Sequence, residues 1–269
     1  MPNSVADGMR SIWHHRQLII SLAKREIIGR YQSSFLGVLW SVINPLILLL
    51  VYTFVFSVVF KARWGAGDSS RVEFAIVLFV GLLIFNLVSE VIIKSPTIIV
   101  YNTNFVKKII FPLEVFPVVI LLSSLFHMLM SFFVWLLVYA VFFGVPHLEI
   151  LYFPIVLAPV CILSLGLSWF LSALGVYLRD LAQVVGPLTT VVMFLSPIFY
   201  PVSALPPEFQ ALLHLNPLTL VIEQARTVLV FGGDLDWKAI SALMLGSIIF
   251  ASCGLAWFQK TRKGFADVL

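Results

Sequence analysis

Long runs without charge dominate this chain. Residues 31–60 hold no Asp, Glu, Lys or Arg, and the same is true of 74–89, 115–148, 150–178, 181–207 and 239–259. A helix crosses the hydrocarbon core of a bilayer in about 20 residues. The runs therefore predict six spans, at 36–60, 74–93, 112–143, 151–176, 186–200 and 238–258, the fifth being the shortest. Helices are expected rather than strands, because lipid offers no partner to an open sheet edge. Solid apolar runs also lack the dyad alternation of an outer-membrane barrel. With 61% hydrophobic and only 11% charged residues, the chain can neither cover the water-facing surface of an ordinary soluble enzyme nor stay unfolded as a solvated tail. The expected fold is an all-α membrane protein. It forms a single transmembrane domain over 1–269, with six transmembrane helices, an N-terminal interfacial helix and short re-entrant helices before the last span.

The basic residues suggest an orientation. An even number of spans puts both termini on one side, together with Arg10, Arg16, Lys24, Arg25, Arg30, Lys94, Lys107, Lys108, Arg179, Lys260, Arg262 and Lys263. The other side receives fewer: Lys61, Arg63, Arg71, Arg226 and Lys238. Basic loops stay inside, so both termini are expected in the cytoplasm. The net charge of +4 then reflects membrane topology. The cations form no stripe of the kind that tracks nucleic acid, and no nucleic-acid partner is expected. Cys161 and Cys253 lie inside apolar runs and read as small buried hydrophobes rather than a disulfide or metal pair. The polar N-terminus and the length of the first apolar run do not fit a cleaved signal peptide.

Three stretches should not span. Segment 9–33 mixes Trp13, Leu18, Ile19, Leu22, Ile27 and Ile28 with basic residues at helical spacing, which suits a helix lying along the interface. Loop 94–111 is amphipathic and basic and stops at Pro112. Segment 201–236 is apolar between Pro201, Pro206–Pro207 and Gly232–Gly233, so it reads as an external region of two short helices dipping into the interface.

Chemistry-bearing motifs are scarce. The sequence holds no Gly-Lys of a phosphate-cradling loop, no HExxH, no CxxC and no GxSxG. No metal site and no catalytic residue is expected. Asn44-Pro45, Asn86 and His127 fall inside spans, where polar groups invite a functional reading, but no acid sits mid-span to make a proton relay. His127, with no carboxylate in sight, reads as an interhelical hydrogen bond. Ser164, Ser168 and Ser172, and likewise Ala242 and Gly246, recur every four residues as faces for close helix packing. Glu26 and Arg30 are spaced for a pair within one helix, and Glu223 and Arg226 for another.

A resemblance covers nearly the whole chain. It begins with Lys24-Arg25-Glu26-Ile27-Ile28-Gly29-Arg30-Tyr31, then Ser34-Phe35-Leu36-Gly37-Val38-Leu39-Trp40 and Asn44-Pro45. It continues with Asn104-Phe105-Val106-Lys107-Lys108 and Phe111-Pro112, and with Leu178-Arg179-Asp180-Leu181. It ends with Ser196-Pro197-Ile198-Phe199-Tyr200-Pro201, Leu205-Pro206 and Asn216-Pro217. In this order and spacing the motifs resemble a type-2 ABC exporter permease, and more narrowly the Wzm-like polysaccharide branch that exports O-antigen, capsule or teichoic acid. The resemblance implies a homodimer in the inner membrane. Each copy would bind a separate cytoplasmic ATPase subunit, which holds ATP and Mg, while this chain binds no cofactor and hydrolyses nothing. A lipid-linked polysaccharide would pass through the dimer.

The resemblance also assigns roles. Loop 94–111 becomes the coupling segment, with Asn104, Phe105, Lys107 and Lys108 facing the ATPase; composition alone favours a solvated loop drawn to anionic headgroups, and the resemblance reverses that. Segment 9–33 becomes a gate helix, with Arg25 and Glu26 toward the ATPase. Arg30 and Tyr31 stand where a lipid pyrophosphate would come in, since the planar guanidinium suits phosphate oxygens. Tyr52, Phe56 and Phe60 share one face of span 1, and Phe194, Phe199 and Tyr200 end span 5; these rings either line a sugar channel or pack against lipid and headgroups. The competing readings are a type-2 exporter of a drug or small lipid, an ion-coupled secondary transporter, which would need buried carboxylates or inverted repeats, and a membrane-embedded transferase.

Overall fold

A computed structural model describes residues 5–32, 34–59, 64, 71–107 and 111–269. Of the residues singled out above, Phe60, Lys61, Arg63 and Lys108 lie outside the described residues. No strand occurs among the described residues. The helices are α1 (Val5–His14), α2 (Arg16–Tyr31), α3 (Trp40–Tyr52), α4 (Arg71–Lys94), α5 (Ile98–Tyr101), α6 (Thr103–Lys107), α7 (Val115–Phe143), α8 (Phe153–Tyr177), α9 (Leu181–Phe194), α10 (Pro207–His214), α11 (Pro217–Arg226), α12 (Trp237–Thr261) and α13 (Phe265–Val268).

Five stretches are long and apolar enough to cross a membrane: Gly37–Phe56, Val72–Tyr101, Val115–Phe143, Leu148–Tyr177 and Trp237–Val268. The fifth expected span, 186–200, is the 14-residue α9, which stops at Phe194. Phe199 and Tyr200 are therefore not helical; they lie in the turn that follows. Residues at 197 and 201 are prolines, which cannot donate the backbone bonds a continuing helix needs. The N-terminal segment is two helices rather than one, broken at His15, whose Nδ1 lies 2.8 Å from the Ser11 carbonyl. Segment 201–236 holds the expected pair of short helices, α10 and α11. Asn216 caps α11 by accepting from the Leu218 N–H at 3.0 Å, with Pro217 at the first helical position.

Around α4 the other helices assemble. From Phe74 to Val91 almost every apolar residue of α4 is buried, on all faces of the helix, against α7, α8, α11 and α3. A helix apolar all round belongs in the centre of a bundle. By contrast α3 leaves Leu46, Ile47, Leu48, Leu50, Val51 and Phe54 exposed.

Small residues set the closest approaches. A Cβ at Gly254 would stand 2.4 Å from the Gly166 carbonyl oxygen, and one at Gly166 would stand 2.7 Å from Ala251 Cα, so α8 and α12 touch backbone to backbone. Ser164, Ser168 and Ser172 are fully buried in α8, as their spacing predicts. The small face of the last span is a correction. Gly246 has no heavy atom near its Cβ position and Ala242 is exposed; the packed face of α12 is instead Ser247, Ala251, Gly254, Leu255 and Phe258. Sequence spacing identifies both small faces but cannot tell which one meets a neighbour.

Candidate functional site

Arg30, Tyr31, Glu90, Lys94 and His127 gather beside a cavity of about 610 Å³ bounded by α2, α3, α4 and α7. The packing of α2 explains the placement. Ile19, Leu22 and Ala23, at i, i+3 and i+4, bury against Val115 and Val119 of α7. Eight to eleven residues further on, two to three turns along, the same helix brings Arg30 and Tyr31 over α4. Tyr31 is buried, meets the His127 ring edge-on at 6.0 Å, and its phenol is pushed above the usual range by that burial.

Electrostatically the centre is Glu90. Arg30 Nη1 approaches Glu90 Oε1 at 2.8 Å, Lys94 Nζ at 3.1 Å, and His127 Nδ1 lies 2.9 Å from Oε2. Lys94 also donates to Glu26 at 3.0 Å. Two expectations are corrected here. Glu26 and Arg30 do not pair along α2: each reaches across to α4, where Lys94 and Glu90 stand at the same four-residue spacing in the opposite sense. His127 does make an interhelical bond, but its partner is a carboxylate. Glu90 escapes notice in the sequence because it sits one residue past the uncharged run 74–89; the matched i, i+4 pairs 26/30 and 90/94 were the available signal.

Along α3 the cavity face continues toward the other end of the bundle. Ser41, Pro45 and Leu48 border the cavity, and Tyr52 and Phe56 follow at helical spacing on the same face. The sequence placed these rings with those after α9, and the fold brings them together. Tyr52 lies 6.0 Å from Phe199, Phe56 stacks on Phe199 at 4.9 Å, and Phe194 lies 5.8 Å from Phe199. Tyr200 donates its hydroxyl to the Phe194 carbonyl at 2.8 Å, which closes the turn after α9. Phe56 belongs to a π-helical stretch, Thr53–Val59, that re-aims the rings beyond α3.

Arg226 corrects another expectation. It forms no pair with Glu223. Buried at 3% exposure, its guanidinium donates to the carbonyls of Val77, Pro197 and Ile198 at 3.1, 2.6 and 2.9 Å, beneath the Trp64 ring at 4.2 Å. It therefore fastens α11 to α4 and to the turn carrying Phe199. No spacing rule finds such an arginine, because its partners are backbone atoms remote in sequence.

The described part of segment 94–111 packs closely on α8. Ser95, Pro96 and Ile99 are buried, and Ser95 Oγ donates to Ser168 Oγ at 2.7 Å. A Cβ at Gly175 would stand 2.0 Å from the Pro96 carbonyl oxygen, so only glycine lets the turn rest on α8. Phe105 packs on Phe111 and Phe116 of its own chain, at 4.6 and 5.8 Å. Asn104 and Lys107 are exposed, as is Tyr101, which the sequence reading passed over. Lys107 donates to the Leu269 backbone oxygen, and Glu114 meets Arg262 at 2.7 Å with both side chains buried. The C-terminal turn thus braces the segment from behind. Arg25 belongs to α2 and has no place in the Glu90 cluster.

Comparisons with known proteins agree with this architecture. The family model "ABC-2 type transporter" matches residues 17–230. An O-antigen export system permease protein RfbA of Myxococcus xanthus is 28% identical over 96% of this chain and 98% of its own length. A Klebsiella pneumoniae protein of the same name is 28% identical over 94% and 95%. The polysialic acid transport protein KpsM of Escherichia coli is 23% identical over 90% and 92%. With a buried central helix, a braced segment beyond its end and a family match across most of its length, this chain belongs to the ABC-2 type transporter family as a multi-pass membrane subunit.

Proposed function

We propose that the chain is the transmembrane subunit of an exporter for lipid-linked polysaccharide, acting as a homodimer in the inner membrane with both termini in the cytoplasm. A separate ATPase subunit bound to each copy supplies the energy. The observation that carries the reading is one continuous face of α3. It runs from the cavity beside Arg30, through Ser41, Pro45 and Leu48, to the rings of Tyr52, Phe56 and Phe199. A cationic mouth suits a lipid diphosphate, through the guanidinium fork of Arg30 and the ammonium of Lys94. Aromatic faces suit sugar rings, which slide best over many weak contacts. Names of relatives that export O-antigen and polysialic acid support the polymer class.

In this reading Asn104, Lys107 and Tyr101 form the surface the ATPase engages, with Lys108 beside them in sequence. Phe105 keeps that surface in shape from within. ATP-driven closure of the two ATPase subunits pushes the segment, and the push passes through Ser95–Thr97 into α4. A drug or small-lipid exporter would have less use for the ring-lined face. An ion-coupled transporter would want an acid at mid-depth, whereas Glu90 and Glu114 stand where α4 ends and just before α7 begins, each against an arginine. The test is Arg30→Ala in cells that depend on export. Polymer reaching the surface should fall severalfold while the amount of permease in the membrane stays constant. Normal export, or transport by the lone permease in liposomes driven by an ion gradient, would refute the reading.

A further inference from the structure

The cations at the cavity already carry an anion of their own. The Glu90 carboxylate holds Arg30 of α2, Lys94 of α4 and His127 of α7 at 2.8, 3.1 and 2.9 Å, so three helices meet on one side chain. Glu26 takes Lys94 from the other side at 3.0 Å, and the four charges alternate across the contact between α2 and α4. Among the described residues, no other ion pair joins the end of α2 to α4. The cluster opens at Arg30, whose side chain is 50% exposed and borders the cavity, while Glu90, Lys94 and His127 are 17%, 29% and 14% exposed. The Glu114–Arg262 pair is closed, at 0% and 7% exposed. An ion pair with one exposed partner is easier to exchange than a fully buried one, which is costly to break.

Resting on the reading of the cavity as a lipid-diphosphate site, we propose that Glu90 stands in for the diphosphate, holding Arg30 and Lys94 while the cavity is empty and yielding them when a lipid-linked diphosphate enters, which frees the gate helix α2 from α4. A diphosphate offers the same donors the same kind of charge-assisted bond, with more acceptor oxygens than a carboxylate. It competes with Glu90 for them, because a further anion beside Glu26 and Glu90 adds like-charge repulsion that the two cations do not balance. Loading the substrate and unlatching the gate are then one event. Since α4 runs through Ser95–Thr97 into the coupling segment, the event is felt where the ATPase docks. The stand-in also selects: a headgroup with a single negative charge gains little by evicting Glu90, and discrimination of this kind needs a built-in competitor.

The experiment uses the full permease–ATPase complex with a short-chain polyprenyl diphosphate as probe, and the matching polyprenol and phosphatidylglycerol as controls. Glu90→Gln should bind the diphosphate about tenfold tighter than the parent, and Arg30→Gln about tenfold weaker. A second measurement needs no substitution. Zero-length carbodiimide coupling of Lys94 to Glu26, read by mass spectrometry, should fall severalfold on adding the polyprenyl diphosphate and hold steady with either control. If Arg30→Gln loses binding while Glu90→Gln gains none and the coupling yield stays constant, the stand-in is refuted and the cavity reading survives. If phosphatidylglycerol lowers the coupling as much as the diphosphate does, the selection argument is refuted. If the parent complex binds the diphosphate no better than polyprenol, the cavity reading falls and the stand-in with it.

Discussion

Helices α3 and α4 are near twins in hydropathy and opposites in the fold. Their stretches have mean hydropathies of 2.2 and 2.6. Yet 72% of the α4 window is buried inside the chain, against 11% for α3. In a bilayer both are stable, because lipid tails and leucine side chains solvate an apolar helix about equally well. Hydropathy therefore says that a helix crosses and is silent on what it crosses against. The difference comes from tertiary contacts: Arg226 clamps α4 from one end, the Glu90 cluster ties its other end to α2 and α7, and α3 touches the rest of the chain along one face only.

Five substitutions break or sharpen this contrast. Gly175→Val forces a side chain into the Pro96 carbonyl, at a site where neither backbone can give. It should cost about 3 kcal/mol, the upper range for overpacking, read as a lower unfolding midpoint in a denaturing-detergent titration, with loss of ATPase co-purification. Arg226→Met should cost about 2–3 kcal/mol, because it strips a charged donor from three carbonyls. It should also disturb the rings around Phe199, so export falls more than stability alone explains. Ile84→Ala in α4, fully buried, should cost about 2–4 kcal/mol, whereas Leu50→Ala in α3, at 69% exposure, should leave the monomer's stability within about 0.5 kcal/mol. If Leu50→Ala instead weakens dimerisation, measured by single-molecule photobleaching or cross-linking, the free face of α3 lies against the second copy. Gly246→Ala has a small effect of the opposite sign. With no atom near its Cβ position it should stabilise α12 by up to about 1 kcal/mol. Destabilisation would mean that this small face packs against something outside the chain.

Residue by residue, the candidate site was legible in unequal parts. Arg30 and Tyr31 could be named because the resemblance makes their segment a gate helix and they end it just before a long apolar run. Tyr52, Phe56, Phe194 and Phe199 could be named from helical spacing and from the motif after α9, and the fold brings them within ring contact. Glu90, Glu114, Arg226 and Arg262 were not, since apart from Lys94 beside Glu90 their partners stand 28 to 149 residues away in the chain, and those of Arg226 are backbone carbonyls. The two errors of pairing have a common origin. Spacing of three or four residues makes a local ion pair available, but a long side chain leaves it whenever another helix offers a better-placed or less hydrated partner.

From the sequence alone follow the helical class, the positions of the long apolar helices and the shortness of the fifth, because a bilayer leaves backbone groups no other way to be satisfied and sets the length that must be apolar. The family resemblance was likewise readable, in short motifs kept in order. Only the tertiary structure decided which of two equally oily helices becomes the core, which small face is packed, and where the buried charges find their partners. Those outcomes rest on contact at van der Waals and hydrogen-bond range between residues far apart in the chain, and neither hydropathy nor periodicity carries information at that range.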